Sequence, residues 1–188
     1  MLVQLVRRWW LAAALVGLGA LAGLIYALVS PPVYTARAYV VVVAQNPDDS
    51  GSAISYAQAY SRIAVQGDVL GRAAGGGAAT TELRRQVRTS SSPDAPVIEV
   101  VGSARTADRA ATLSNLVANS LVDTANERAS DTRMRLSLLS QASPPADPTS
   151  PRLALDVAVG AAAGLLLGGL AVLVGAGKTN PARDGDPR

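Results

Sequence analysis

Residues 9–29 read WWLAAALVGLGALAGLIYALV, a run of 21 residues without a charged side chain. As a helix rising ~1.5 Å per residue, this run reaches about 31 Å, which is enough to cross the hydrocarbon core of a bilayer. Arg7 and Arg8 precede the run, and a tryptophan pair begins it, a pattern typical of an anchored cytoplasmic end. The stretch therefore predicts a transmembrane helix.

A cleaved signal peptide is the alternative interpretation of this run. Ala36-Arg37-Ala38 has the spacing of small residues that a cleavage site requires. However, the apolar run is longer than the usual ~7–15-residue core of a signal peptide, and the alanine pair lies well past its end. An uncleaved membrane helix is the better interpretation.

Residues 153–174 read LALDVAVGAAAGLLLGGLAVLV and predict a second transmembrane helix. The charged residue inside it is Asp156, one turn from the start, where a side chain can still reach the interface. Arg152 lies four residues earlier, so we expect the two side chains to pair on one helix face.

Glycines form a stripe along this second helix, because Gly160, Gly164 and Gly168 recur at every fourth position. Small residues at this spacing let another helix approach closely within a membrane. The first predicted helix carries a shorter pair, Gly19 and Gly23. We expect specific helix packing at the stripe, and we expect Gly164 to support assembly between copies of the chain.

The composition excludes several classes of chemistry. The 188 residues contain no cysteine and no histidine, so disulfides, thiolate or imidazole metal sites and histidine acid–base catalysis are excluded. Charged residues make up 16% of the chain, against about 25% in a typical soluble domain, and this shortage is concentrated in the two apolar stretches. We expect no cofactor, no metal ion and no nucleic-acid partner.

Two spans place both termini on one side of the bilayer. The arginines of the N-terminal tail, with Lys178, Arg183 and Arg188 near the C-terminus, predict that this side is the cytoplasm. The expected protein is a multi-pass protein of the cytoplasmic membrane, in contact with the lipid bilayer. The predicted segments are a cytoplasmic tail (1–8), the first span (9–29), an external domain (30–142), a proline-rich strut (143–152), the second span (153–174) and a cytoplasmic tail (175–188).

The external segment has the pattern of a small α+β domain, mainly an antiparallel sheet with one long helix. The β-branched run 34–44 predicts a strand that ends at an Asn-Pro-Asp-Asp turn. Further strands are expected at 83–90, 97–103 and from Met134 onward, where the apolar period becomes two. Helices are expected at 53–65 and from a Thr106 cap to about residue 130, with Gly75-Gly76-Gly77 as a loop.

The segment 143–151 reads SPPADPTSP and connects this domain to the second span. Because proline fixes the backbone φ angle and favours extended geometry, these residues predict a stiff strut. An ordinary juxtamembrane linker is the alternative interpretation.

Taken together, these stretches resemble the polysaccharide co-polymerases, the Wzz-type chain-length determinant family. The resemblance rests on PPVYTA at 31–36 after the first span, on the strand–helix unit 97–121, and on Ser150-Pro151-Arg152 before the glycine-rich second span. The positions it marks as motif or structural residues are Pro31, Tyr34, Pro145, Pro148, Ser150, Pro151, Arg152, Asp156, Gly160, Gly164 and Gly168. The small external domain is similar to that of the short capsule and exopolysaccharide branch.

The resemblance implies a non-catalytic membrane scaffold that assembles into a homo-oligomeric ring. It also implies a role beside a membrane polysaccharide polymerase, in setting chain length during polymerisation and export of a capsule, exopolysaccharide or lipopolysaccharide-type polymer. In the short branch a cytoplasmic tyrosine kinase often couples to such a subunit. No kinase domain follows the second span in the sequence given, so a kinase partner would be a separate chain.

Two other classes of function compete with this interpretation. A two-span sensor or adaptor could use the external domain to bind a ligand or a partner protein. An enzyme would need a carboxylate pair, and the spacing of the external carboxylates singles out no two of them. The stretch 175–179, GAGKT, is similar to a phosphate-binding loop, but position 172 is valine where that loop needs glycine.

Overall fold

The computed structural model describes residues 2–177 and divides the chain into two compact units. Met1–Pro31 and Pro151–Arg188 belong to one unit, and Pro32–Ser150 forms the other. The basic residues predicted to hold the C-terminal tail in the cytoplasm, from Lys178 onward, lie outside the described residues. Of the GAGKT stretch, residues 175–177 end the last helix, and Lys178 and Thr179 lie outside the described residues.

The elements follow one another as a helix, a mixed domain and a last helix. The helices are α1 (Leu2–Val29), α2 (Ala53–Ile63), α3 (Gly67–Ala74), α4 (Ala78–Gln86), α5 (Ala107–Asn126), α6 (Ala129–Thr132) and α7 (Leu153–Gly177). The strands are β1 (Tyr34–Ala44), β2 (Val87–Ser91), β3 (Val97–Ala104) and β4 (Met134–Ser140), and a 3₁₀ turn covers Pro47–Ser52.

The unit of α1 and α7 is an antiparallel pair of apolar helices. Within α7, Leu153–Ala171 is 19 residues long with a mean hydropathy of 2.0, so its length and composition suffice to cross a membrane. The apolar part of α1 within the described residues, Ala13–Val29, is shorter than a full span. The second predicted span thus has a matching helix, whereas the first stays a prediction.

The Pro32–Ser150 unit is built on a four-stranded antiparallel sheet in the order β2-β3-β1-β4. Its central strand β1 occupies 34–44, as predicted, and alternates between the two faces of the sheet. Ala38, Val40 and Val42 are buried on one face, whereas Arg37 and Val43 are exposed on the other. The predicted α+β class with a mainly antiparallel sheet is confirmed.

One long helix covers the buried face of this sheet. Val117 and Leu121 of α5 join Val40 and Ile98 of the central strands in a single apolar core, to which α2, α3 and α4 also contribute. The approach is closest at Gly102 of β3, where a methyl group would lie 2.8 Å from the backbone nitrogen of Ser114. Only glycine at this position lets α5 lie so near the sheet.

Two sequence predictions in this unit are wrong in detail. The expected strand at 83–90 begins only at Val87, because Leu83 is buried from the last turn of α4 and holds residues 78–86 in a helix. Thr106 occupies the N-cap position of α5, but its side chain makes no capping hydrogen bond.

The predicted long helix also ends earlier than expected. It stops at Asn126, whose side chain turns to bind the backbone of β4, and the short α6 follows separately. Gly75, Gly76 and Gly77 form a loop as predicted, since their φ angles of 73°, 89° and 67° lie in a region that favours glycine.

Candidate functional site

Both ends of the external domain are held side by side by backbone hydrogen bonds. The Val33 N–H donates to the Ser150 carbonyl at 2.8 Å, and the Thr149 N–H donates to the Val33 carbonyl at 2.8 Å. The predicted motif residue Ser150 therefore pairs with the residue just before β1. This clasp fixes the point from which the chain leaves the domain in both directions.

The strut is anchored at its beginning as well. The Asn115 amide of α5 donates to the Ala142 carbonyl at 2.9 Å and accepts from the Ala142 N–H at 2.8 Å. Between Ala142 and the clasp the chain forms no helix or strand, with Pro145 half-buried and Pro148 exposed. The segment is thus pinned at both ends rather than hanging free of the domain.

The remaining motif residues near the clasp are Tyr34, Pro31 and Pro151. Tyr34 begins β1, pairs with Ala104 of β3 and packs half-buried against the core. Pro31 is exposed and Pro151 is half-buried, and each lies beside the clasp in sequence.

The glycines of α7 face the glycines of α1 within the same chain. A methyl group at Gly160 would overlap the Gly19 carbonyl and lie 3.2 Å from the Gly23 Cα. One at Gly164 would overlap the Leu15 carbonyl, and Gly168 is also buried. The predicted close helix approach is therefore present between α7 and α1 of the same chain. The expectation that Gly164 supports assembly between copies stays a prediction.

Asp156 lies at the same helix interface, near its start. Its N–H donates to the Arg152 carbonyl at 2.9 Å, so the two residues are one turn apart on one face of α7. A methyl group on Gly23 would overlap the Asp156 carbonyl. The carboxylate atom Oδ2 of Asp156 is buried and accepts no hydrogen bond. A side-chain pair between Arg152 and Asp156 stays a prediction.

Glu99 of β3 contacts several polar side chains on the face of the sheet that α5 does not cover. The sequence interpretation did not single out this carboxylate. It accepts hydrogen bonds from the Tyr39 hydroxyl at 3.2 Å and the Ser90 hydroxyl at 3.1 Å, and its Oε1 lies 3.2 Å from Nε of Arg37. The alternation of β1, which places Arg37 and Tyr39 on one face, is the sequence signal that could have located this cluster.

An exposed ion pair joins α3 to the residue that follows α5. Arg72 donates to both carboxylate oxygens of Glu127, at 2.5 and 2.8 Å. The hydrogen bond from Arg72, and then its positive charge, lower the pKa of Glu127 below its ordinary value, and the same contact raises the pKa of Arg72. The pair fixes α3 against the end of the long helix.

Two open grooves on the external domain bear on the enzyme alternative. One, of about 270 Å³, lies between α3, α4 and α5 and is lined by Leu83, Leu113 and Leu116 with a single carboxylate, Glu82. The other, of about 370 Å³, lies beside the 3₁₀ turn and has no acidic lining residue. Neither groove brings two carboxylates together, and residues 2–177 contain no acidic cluster suited to a metal ion.

Comparison with known families gives one match. Residues 1–75 match the family model described as Wzz, chain length determinant protein, over the part of the chain that runs from α1 through α3. The family resemblance predicted from the sequence is thereby confirmed. The strand–helix unit 97–121 and the strut lie outside the matched range, so their resemblance stays a prediction. No curated protein matches the chain.

Proposed function

We propose that the chain is a Wzz-type polysaccharide co-polymerase, a non-catalytic membrane scaffold that sets the chain length of a capsule or exopolysaccharide. The match of residues 1–75 to the Wzz family model supports this proposal. Proteins of this family are regulatory co-polymerases rather than catalysts, and they act in polysaccharide polymerisation complexes of the membrane. The family match is the observation that carries the proposal.

The arrangement of the chain supports this role. An α+β domain with its own core lies between two apolar helices, and the clasp between Val33 and Ser150 brings both connections to one end of the sheet. We propose that α1 and α7 both cross the cytoplasmic membrane, with Pro32–Ser150 outside and both termini in the cytoplasm. A cysteine introduced at Ser52 would then react with a membrane-impermeant thiol reagent in intact cells.

We further propose that copies of the chain form a ring beside a membrane polymerase. The glycine faces of α1 and α7 contact each other within one chain, so we propose that other surfaces provide most of the contact between copies. A separate cytoplasmic tyrosine kinase is the further partner that the family resemblance implies.

The decisive experiment compares surface polysaccharide from the deletion strain, the wild type and a complemented strain. A scaffold makes no bonds in the sugar, so we expect the deletion to change the length distribution on gels and to leave the monosaccharide composition unchanged. Complementation should restore the original profile. An unchanged length profile in the deletion strain would refute the proposed function.

A further inference from the structure

Most charged side chains of the external domain lie towards one or the other end of its sheet. We call the end marked by Val33, Tyr34, Ala104 and Ser150 the tethered end, since Tyr34 pairs with Ala104 and the clasp lies beside them. The distal end is the opposite one, where Ala44 pairs with Met134.

Three neighbouring elements, β1, β2 and α4, each carry arginines at the tethered end. Arg37 of β1 and Arg88 of β2 both pair with Val101 of β3, so they share one face of the sheet. Since adjacent strands lie ~4.8 Å apart, their Cα atoms are separated by about 10 Å. Arg84 and Arg85 lie in the last turn of α4, directly before β2.

Two more arginines reach the same end from the following segment. Arg105 comes directly after Ala104, the last residue of β3, and Arg109 lies in the first turns of α5. A cation near a helix N-terminus meets the positive end of the helix dipole, so Arg109 gains nothing from its own helix. The dipole of α5 therefore does not account for an arginine at this position.

Most of these arginines have no acidic partner. Arg37 contacts Glu99, but within residues 2–177 the other five form no salt bridge. These five exposed residues are Arg84, Arg85, Arg88, Arg105 and Arg109. Besides Glu99, the carboxylates at this end are Glu82, Asp108 and Asp147, and Glu82 accepts a hydrogen bond from the neutral Gln86.

Acidic residues predominate at the distal end instead. Its carboxylates are Asp48, Asp49, Asp94, Asp123, Glu127 and Asp131, and its arginines are Arg72, Arg128, Arg133 and Arg135. Two of these arginines are already paired, Arg72 with Glu127 and Arg133 with Asp49. Within residues 2–177, five arginines without a salt bridge thus lie at the tethered end, against Arg128 and Arg135 at the distal end. Mutual repulsion among the five disfavours this arrangement unless an anionic surface lies nearby.

The lengths of the two connections to α1 and α7 limit how far the tethered end can lie from a membrane that these helices cross. Three residues, Ser30 to Pro32, separate the end of α1 from Val33, and two residues separate Ser150 from the start of α7. At ~3.5 Å per residue, the four steps from Val29 to Val33 span at most about 14 Å, and the three steps from Ser150 to Leu153 span at most about 10 Å. If both helices cross the bilayer, the tethered end stays within about two Debye lengths of the headgroups, each of which is ~8 Å at physiological ionic strength.

We propose that the arginines of the tethered end bind anionic phospholipid headgroups in the leaflet that faces the external domain. The proposal rests on the two-span topology proposed above. Guanidinium groups bind phosphate oxygens in pairs of hydrogen bonds, and several of them act together at an anionic surface. Headgroup binding orients the domain with its basic end against the membrane and its acidic end away from it.

The test uses the full-length chain in lipid nanodiscs. The sequence contains no cysteine, so one introduced cysteine carries a unique fluorescent donor. Thr106→Cys reports on the tethered end and Ser52→Cys on the distal end; both residues are exposed N-caps without a side-chain capping bond. Energy transfer to acceptor-labelled lipid is compared between phosphatidylcholine and an equal mixture with phosphatidylglycerol.

We expect transfer from position 106 to rise in the anionic mixture and to fall again at high salt, with no rise from position 52. Each arginine should shift the ratio of membrane-apposed to free domain about fivefold. The variant R84Q/R85Q/R88Q should therefore lose most of the rise. The matched distal variant R128Q/R133Q/R135Q should keep it.

Three outcomes would overturn the proposal. They are equal transfer at position 106 in both lipids, an equal rise at both positions, and a rise that survives in R84Q/R85Q/R88Q. A fourth arm adds inorganic phosphate: if millimolar phosphate abolishes the rise while equal ionic strength of chloride does not, the arginines select free phosphate over headgroups and the lipid assignment fails. None of these readouts depends on polysaccharide length, so failure here is distinguishable from failure of the proposed function.

Discussion

Gly19 of α1 and Gly160 of α7 face each other so closely that a methyl group on either would overlap the carbonyl oxygen of the other. In lipid there is little hydrophobic drive between helices, so van der Waals contact between backbones must hold such a pair together. The glycine stripe therefore serves the packing of one chain's own two apolar helices.

Substituting Gly160 with leucine should separate these helices. We expect Gly160→Leu to lower the stability of the purified full-length protein by about 1–3 kcal/mol, because an overpacked interface must shift its backbone. Thermal unfolding in mild detergent measures this. Gly169→Leu is the matched control, since nothing lies within 4 Å of a methyl group at that position. Equal melting temperatures for the two variants would contradict the close packing.

The edge strand β4 depends on one amide side chain. Asn126 donates to the Leu136 carbonyl at 2.9 Å and accepts from the Leu136 N–H at 2.9 Å. Asn126→Ala removes both hydrogen bonds, and we expect a loss of about 1–2 kcal/mol in the free energy of unfolding. Urea unfolding followed by circular dichroism provides the measurement.

Asn119 supplies the control for this prediction, because it is an exposed asparagine on the same helix. Asn119→Ala should change the free energy of unfolding by less than about 0.5 kcal/mol. If both alanine variants lose the same stability, the Asn126 contact contributes nothing beyond helix propensity.

Replacing Pro145, Pro148 and Pro151 with alanine should loosen the strut between its two anchors. Because the helices and the core are unchanged, we expect near-normal protein abundance with a broadened or shifted polysaccharide length distribution. Gel profiling of the surface polymer measures it. Pro93→Ala, in the turn between β2 and β3, is the control and should leave the profile as in the wild type. A wild-type profile for the triple variant would remove the role given to the strut.

The ion pair between Arg72 and Glu127 predicts a small pH dependence. The pKa of Glu127 lies below its ordinary value of 4.5 in the folded state, so the pair stabilises the fold above that pH. This contribution is lost as the pH falls through the lowered pKa of the folded state. Glu127→Gln should therefore flatten part of the acid limb of a melting-temperature profile, whereas Glu82→Gln should not. Parallel acid limbs for wild type and Glu127→Gln would contradict it.

Local pattern was sufficient to predict several elements. The alternation of β-branched residues over 34–44 predicted β1, and the apolar stripe from Ala110 predicted the long helix, because each pattern is fixed by the geometry of its own element. The run of three glycines at 75–77 likewise predicted a loop. By contrast, α3 and α4 were missed, since their short segments form helices only where Val69, Leu70 and Leu83 find the core.

The sequence by itself determined the apolar helices, the α+β class of the external domain and the resemblance of residues 1–75 to the Wzz family model. Those properties follow from composition and from periodicity along the chain. Tertiary structure decided which glycines face which, that the Glu99 cluster forms, and that five unpaired arginines share the end of the sheet where the chain enters and leaves. Each of these depends on strand register and helix placement, which join distant residues such as Tyr39 and Glu99, 60 positions apart, whereas periodicity reports only which face of its own element a residue occupies.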